Sequence, residues 1–160
     1  FADNHDVTRL ASILTNPAHI PLAYGLLLSM PGIPCLYYGS EWGEKGEKAP
    51  DNDYALRSCF DAPKPNELTK FIKKLIQIRQ NSDALCNGSY RNVVIQNHQL
   101  IFERCSEKER ILVTVNASDS PYTAWHQELN GTVHDLISNT EIHMDGKLEI
   151  PPYSTMYLKF

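Results

Sequence analysis

Two stretches in the first half of the chain have apolar residues at helical spacing. One runs from Ala18 to Met30, follows Asn16-Pro17 and stops at a Pro-Gly pair. Asn before Pro is a typical helix start, and Pro-Gly a typical stop. The other covers residues 67–80, with Asn66 as its cap and lysines on its polar side. These patterns predict two helices, each with one apolar face.

The two segments that follow the first predicted helix have different patterns. Residues 33–38 are apolar on both faces and are closed by Gly39, which is typical of a buried strand in a parallel sheet. Residues 43–66 are rich in Gly, Pro, Asp, Asn and Lys and have weak periodicity. We expect a long irregular loop there, and such loops often carry function.

After Asn87-Gly88 the helical period gives way to short β segments. Seven are predicted, at 91–96, 99–105, 111–116, 122–129, 133–135, 148–150 and 155–158. Turn residues separate them, among them Asn130-Gly131 and Asp145-Gly146. Several short strands at close spacing predict an antiparallel sandwich or barrel. The chain therefore divides into an α/β part, residues 1–81, and an all-β domain, residues 82–160.

Composition and charge exclude several classes of function. The chain is 42% hydrophobic with both signs of charge mixed along it, as in ordinary globular proteins. A formal net charge of −4 argues against a nucleic-acid partner, which clustered Lys and Arg would bind. No stretch approaches the roughly 18 apolar residues of a membrane span, so we expect no membrane partner either.

The cysteines and histidines suggest no metal or cofactor. Cys35, Cys59, Cys86 and Cys105 are widely spaced without a C-x-x-C pair, so we interpret them as free thiols. N-glycosylation patterns begin at Asn87, Asn116 and Asn130, but such short patterns recur by chance. The compartment therefore stays open between the cytoplasm and secretion.

Two motifs carry more specific information. Phe1-Ala2-Asp3-Asn4-His5-Asp6 has the pattern F-x-x-N-H-D, and residues 31–41 have the pattern P-G-x-P-x-x-Y-Y-G-x-E. In this order and at this separation the pair resembles the α-amylase superfamily of glycoside hydrolases, including its neopullulanase-like and cyclomaltodextrinase-like members. The helix at 67–80 and the β-rich tail are similar to the family's last barrel helix and C-terminal sandwich, so the resemblance covers essentially the whole chain.

The resemblance implies a TIM (β/α)8 barrel followed by an antiparallel β-sandwich domain. Residues 1–6 would end the seventh barrel strand, 33–38 would form the eighth, and 67–80 would be the eighth helix. The active site of such a barrel lies at the C-terminal ends of its strands. The chain would then be a C-terminal fragment whose partner is the remainder of its own barrel upstream.

The chemistry that the resemblance implies is retaining hydrolysis of α-1,4-glucosidic bonds in an α-glucan. One carboxylate attacks the sugar and another carboxyl protonates the leaving oxygen, and both would lie upstream, so the chain alone is expected to be inactive. Asp6 would be a third carboxylate, which stabilises the transition state through the sugar hydroxyls. His5 would hold the same hydroxyls, and Asn4 would either touch sugar or orient loops.

Four further residues are candidates near this site. Arg57 occupies a place where neopullulanase-like relatives carry an Arg in an R-x-P-M-x-W segment, which implies a substrate-binding role, although Ser, Cys and Phe replace part of that pattern here. Arg9 lies three residues beyond Asp6, where a structural ion pair could hold the carboxylate. Tyr38 and Glu41 would lie at the top of the eighth strand, in packing or loop-anchoring roles.

Two other functions remain open for this sequence. The β domain could be a non-catalytic carbohydrate-binding or structural module, with Tyr122, Trp125 and Tyr153 as stacking platforms, although core packing is the favoured interpretation of these aromatics. The parent protein could also be a catalytically inactive relative, such as a transporter subunit. The intact Asn4-His5-Asp6 favours the enzyme.

Overall fold

The computed structural model describes all 160 residues, which form four helices and six strands joined by turns and irregular segments. The helices are α1 (Leu10–Ile13), α2 (His19–Ser29), α3 (Glu67–Gln80) and α4 (Asp83–Asn87). The strands are β1 (Ser89–Ile95), β2 (Gln99–Cys105), β3 (Arg110–Asn116), β4 (Tyr122–Asp135), β5 (Thr140–Ile150) and β6 (Ser154–Lys159). Only two 3₁₀ turns, Ser40–Trp42 and Tyr54–Leu56, interrupt the irregular segment between α2 and α3, which confirms the loop predicted at 43–66. The chain contains no helix with the length and apolarity needed to cross a membrane.

Both predicted helices are present. Asn66 caps α3 through a reciprocal pair of hydrogen bonds, since its Oδ1 accepts from the Thr69 amide and the Thr69 Oγ1 accepts from the Asn66 amide, both at 3.1 Å. Asn16 does not cap α2, which begins only at His19. Its Oδ1 accepts instead from the Ala18 amide at 3.0 Å and closes a turn that precedes the helix.

The β domain is one antiparallel sheet with the strand order β1-β2-β3-β6-β4-β5. The predicted antiparallel pairing is confirmed. In place of the separate sheets of a sandwich, the structure has a single curled sheet, because β4 is hydrogen-bonded to β6 through His134 and Asp135. Beyond that point the β4–β5 hairpin curls over the inner face, where Arg91 of β1 forms an ion pair with Glu128 of β4 at 2.6 Å. The curled sheet thus encloses its own core.

Two separate apolar cores lie on the two faces of the sheet. Strand β3 contributes to both, because alternate side chains of a strand point to opposite faces. Leu112 lies in the inner core, whose buried members also include Ile101, Ala124, Leu129, Val133, Met144, Leu148, Ile150, Met156 and Leu158. Ile111 and Val113 lie in the core against the helices, with Tyr24, Leu28, Ile72, Leu75, Leu85, Phe102 and Tyr157.

Two of the predicted turns lie inside long strands. Asn130 of β4 faces Asp145 of β5, and the Asn130 Oδ1 accepts from the Gly146 amide at 3.0 Å. Gly131 and Gly146 have φ angles of 95° and 69°, which glycine adopts without strain. The register of β4 shifts between Trp125 and Asn130, as at a β-bulge. The segments predicted at 122–129 and 133–135 are therefore one strand.

The two barrel strands that the sequence predicts are not strands here. Residues 1–6 and 33–38 have no strand pairing, and the side chain of Ile33 is 97% exposed. A strand needs a hydrogen-bonded neighbour for its backbone groups, and every strand of these 160 residues belongs to the antiparallel sheet. The TIM barrel is therefore not formed by this chain, and the six-stranded sheet is its dominant unit.

Two buried arginines connect the helices to the sheet. Arg79 of α3 donates to the carbonyls of Leu28, Met30 and Gly32 at 2.9, 3.0 and 2.6 Å. Arg104 of β2 donates to the carbonyl of Ser29, which lies between the Leu28 and Met30 carbonyls in the chain. The last carbonyls of a helix have no partner within it, so these side chains satisfy the end of α2 and fix it against both α3 and the sheet.

The close approach of α2 to the sheet gives a testable prediction at Gly25. A Cβ at this position would lie 2.8 Å from Thr155 Cγ2. Alanine favours a helix over glycine by about 1 kcal/mol, but overpacking of this kind costs about 1–3 kcal/mol. We therefore expect Gly25→Ala to lower the midpoint of thermal unfolding.

A double-mutant cycle with Thr155→Ser tests the cause. Serine removes Cγ2 but keeps the Oγ that donates to the Thr114 carbonyl at 2.8 Å. In the Thr155→Ser background, Gly25→Ala should cost less than in the parent, or stabilise. Additive effects of the two substitutions on stability would contradict the steric explanation.

Candidate functional site

The first residues of the chain are anchored by the buried side chain of Asp3, which is 3% exposed. Its Oδ2 accepts from the Leu10 amide at 2.9 Å. The Ser40 hydroxyl donates to the same carboxylate at 2.8 Å. Asp3 therefore ties the opening segment to the start of α1 and to the 3₁₀ turn that follows Gly39.

Arg9 is fully buried beneath this segment. Its Nη1 donates to the Tyr38 carbonyl at 2.6 Å and to the Ser40 hydroxyl at 3.2 Å, and its Nη2 donates to the Leu56 carbonyl at 2.8 Å. The guanidinium carbon also lies 4.2 Å from the centre of the Tyr37 ring, within the range of a cation–π contact. The ion pair considered between Arg9 and Asp6 is not formed, because the guanidinium is committed to these partners.

Asp6 lies above the anchored segment with its side chain 58% exposed. The Asn4 Oδ1 accepts from the Asp6 amide at 2.8 Å, which fixes the turn that presents the carboxylate. His5 Nε2 lies 3.2 Å from one carboxylate oxygen and Arg57 Nη2 lies 3.4 Å from the other. The result is a solvent-accessible carboxylate between an imidazole and a guanidinium.

A second carboxylate supports Arg57 from the other side. The Arg57 Nη2 donates to Asp53 Oδ2 at 3.0 Å, and Asp53 also accepts a hydrogen bond from Lys48. The hydrogen bond from Lys48, together with the charges of Lys48 and Arg57, holds the pKa of Asp53 below its usual range. Charges therefore alternate in sign from Lys48 through Asp53 and Arg57 to Asp6.

Tyr38 and Glu41 anchor the loop. The Tyr38 hydroxyl donates to the Ser58 carbonyl at 2.8 Å, and its ring packs edge-on against Phe60. The main-chain carbonyl of Glu41 accepts from the Thr69 hydroxyl at 2.9 Å, which attaches the 3₁₀ turn to the start of α3. These contacts hold the loop in place around Arg57.

The structure thus brings together four of the predicted site residues, Asn4, His5, Asp6 and Arg57. Asp3, Ser40, Lys48 and Asp53 were not among the residues that the sequence pattern selected. The sequence did contain a signal for the ion pair between Asp53 and Arg57, because oppositely charged residues four positions apart often interact.

The site contains no group of three or more His, Cys, Asp or Glu side chains arranged to hold a metal ion, and all four cysteines are unpaired.

Comparison with known proteins places the chain in a family. No family model matches the chain, but individual proteins do. A cyclomaltodextrin glucanotransferase of Geobacillus stearothermophilus is 33% identical over 120 residues, which cover 75% of this chain and 16% of that protein. A cyclomaltodextrinase of Thermoanaerobacter pseudethanolicus is 29% identical over 161 aligned positions, which cover 98% of this chain and 27% of that protein.

Solved structures give the same result for the fold. An Anoxybacillus α-amylase superposes with a TM-score of 0.84 at 26% identity, over 98% of this chain and 36% of that one. The chain belongs to the α-amylase family of glycoside hydrolases, and its curled six-stranded sheet matches the C-terminal domain of those enzymes. It is similar to cyclomaltodextrinase along almost its whole length, but it spans only 16–27% of these curated relatives.

The charge chain gives a prediction about the ionisation of Asp53. Replacing Lys48 with Met removes the hydrogen bond that lowers the pKa of this carboxyl most, so the pKa should rise towards the ordinary value of about 3.9. The pKa would be measured by ¹³C NMR titration of the side-chain carboxyl. Lys45→Met, at an exposed lysine of the same loop without an ion pair, is the control. An Asp53 pKa that does not change on loss of Lys48 would contradict the assignment.

Proposed function

We propose that this chain is part of a retaining α-glucan hydrolase of the α-amylase, cyclomaltodextrinase or neopullulanase type, which cleaves α-1,4-glucosidic bonds. The observation that carries the proposal is the exposed carboxylate of Asp6, held between His5 and Arg57 on a buried support. A sugar hydroxyl can reach this carboxylate from solvent. The sequence relationship to a cyclomaltodextrinase supports the substrate class.

In the proposal, residues 1–81 complete the catalytic (β/α)8 barrel and residues 82–160 form the C-terminal domain. An apolar groove lined by Leu28, Ile33, Pro34, Leu36 and Ile76 supports this division. In the whole enzyme, preceding barrel strands would pair with residues 1–6 and 33–38 and would cover the groove. That pairing would also bury Ile33, whose exposure costs hydrophobic stabilisation here.

Asp6 stabilises the transition state in this mechanism and is neither the nucleophile nor the acid. As the sugar becomes oxocarbenium-like, its ring hydroxyls become more acidic, so their hydrogen bonds to a carboxylate strengthen. Such bonds lower the barrier because they are stronger in the transition state than in the ground state. His5 donates to the same hydroxyls, Asn4 fixes the turn, and Arg57 orients Asp6 through its 3.4 Å contact and extends towards the substrate.

We expect Asp6→Asn to reduce kcat of the whole enzyme by about 10²-fold or more, because the amide binds the developing charge far less strongly. The thermal midpoint should change little, since the side chain is more than half exposed. Steady-state kinetics on a maltooligosaccharide measure the effect. Asp61→Asn, at another exposed carboxylate, is the control. Unchanged turnover in Asp6→Asn would refute the role.

The 160-residue chain by itself should have no hydrolase activity. Retaining hydrolysis needs a nucleophile and an acid about 5–5.5 Å apart, and the proposal assigns both to barrel strands outside these residues. A reducing-sugar assay on the purified chain with maltoheptaose is the measurement, with the whole enzyme as the positive control. Maltose release that follows the chain through purification would overturn this account.

A second candidate function is a non-catalytic carbohydrate-binding or structural module. One observation favours sugar binding, since Trp125 is 70% exposed on the sheet, and flat exposed aromatics stack on sugar rings. In this alternative Asp6 has no chemical role, so Asp6→Asn would leave function intact. The kinetic measurement therefore separates the two functions.

A further inference from the structure

We propose a second α-glucan binding site on the outer face of the β4–β5 hairpin, with the indole of Trp125 as its platform. The identity of the ligand rests on the proposed function. The site itself is defined by residues that have no part in the arrangement around Asp6.

Trp125 points away from both cores. Its neighbour Ala124 is fully buried in the inner core, as is Leu148 of the paired strand, so alternation places the indole on the outside. Its 70% exposure corrects the expectation that Trp125 packs in the core. Tyr122, by contrast, is partly buried against the inner core. Trp125 is the large aromatic that the hairpin leaves mostly exposed.

The indole lies in a groove of about 470 Å³ that is otherwise mostly polar. This volume falls within the roughly 300–1,000 Å³ typical of small-molecule sites. Lys147 lies directly opposite Trp125 in the strand pairing, with its Nζ 5.6 Å from the ring centre, and Glu149 lies opposite Thr123. Asp145 and His143 continue the same lining along β5.

This combination fits a sugar better than other ligands. A glucose ring has a flat C–H face, which an indole covers, and a rim of hydroxyls, which both donate and accept hydrogen bonds. Asp145 and Glu149 accept from such hydroxyls, and Lys147 donates to them. The mixed signs of charge disfavour a polyanion. A single aromatic among charged groups also lacks the contiguous apolar core that an interface with a second copy needs.

Binding here would add affinity for long substrates without changing the chemistry. A polymer held at the hairpin raises its effective concentration at the catalytic site, whereas a short oligosaccharide cannot occupy both. The contribution of Trp125 to substrate affinity should therefore depend on the length of the glucan chain. This dependence distinguishes a binding platform from a residue that stabilises the fold.

The test uses the whole enzyme with Trp125 replaced by Ala. Affinity electrophoresis in gels that contain amylopectin should give a dissociation constant raised about fivefold or more, the loss expected when one aromatic stacking contact is removed. kcat/KM on maltotriose should stay unchanged. Trp125→Phe should retain most of the affinity, because a smaller ring still stacks.

The control is Ile95→Ala, which removes an exposed apolar side chain from β1 of the same sheet and should leave amylopectin binding unchanged. Unaltered amylopectin binding by Trp125→Ala would overturn the site while leaving the proposed function intact. A fall in molecular mass by light scattering would also overturn it, because the indole would then be a subunit contact. Failure of the proposed function itself would appear separately, as full activity in Asp6→Asn.

Discussion

The arrangement of this chain depends on how the carbonyls at the end of α2 are satisfied. Two guanidinium groups, from Arg79 and Arg104, bind consecutive carbonyls there, and neither forms an ion pair with a carboxylate. Burial and the nearby Arg79 lower the pKa of Arg104, so the arrangement has an electrostatic cost. The negative end of the helix dipole and the otherwise unpaired carbonyls offset that cost. Because Arg79 belongs to α3 and Arg104 to β2, this contact sets the position of the helices on the sheet.

The strongly periodic elements were predictable because their signals are local. The capping pair Asn66 and Thr69 and the apolar face of α3 depend only on residues a few positions apart. The extent of β4 and β5 was not predictable, because Asn130-Gly131 and Asp145-Gly146 are strong turn signals taken singly. They become strand irregularities only because they face each other across the hairpin. This outcome depends on how the two strands pair, and the pattern of a single strand does not show its partner.

The residues of the candidate site also fall into those that the local sequence predicts and those that it does not. The motif that ends in Asn4-His5-Asp6 is contiguous, so the sequence identified it directly. Arg57 approaches Asp6 across 51 residues of chain, and its placement depends on a loop whose conformation no periodicity encodes. The burial of Arg9 could not be predicted either, since a charged residue is seldom buried without a partner. Here main-chain carbonyls distant in sequence serve as that partner.

Because Arg9 binds main-chain atoms, the loop around Asp6 tolerates changes in its side chains. Arg9 binds the carbonyl oxygens of Tyr38 and Leu56, and every amino acid supplies that oxygen. Substitutions along the loop therefore leave the support of Asp6 intact as long as the backbone keeps its course. Ser58, Cys59 and Phe60, which follow Arg57, are positions where the side chain can change over the same backbone. A support that recognises backbone lets the side chains of the loop drift in evolution, or be redesigned by library selection, without displacing the Asp6 carboxylate.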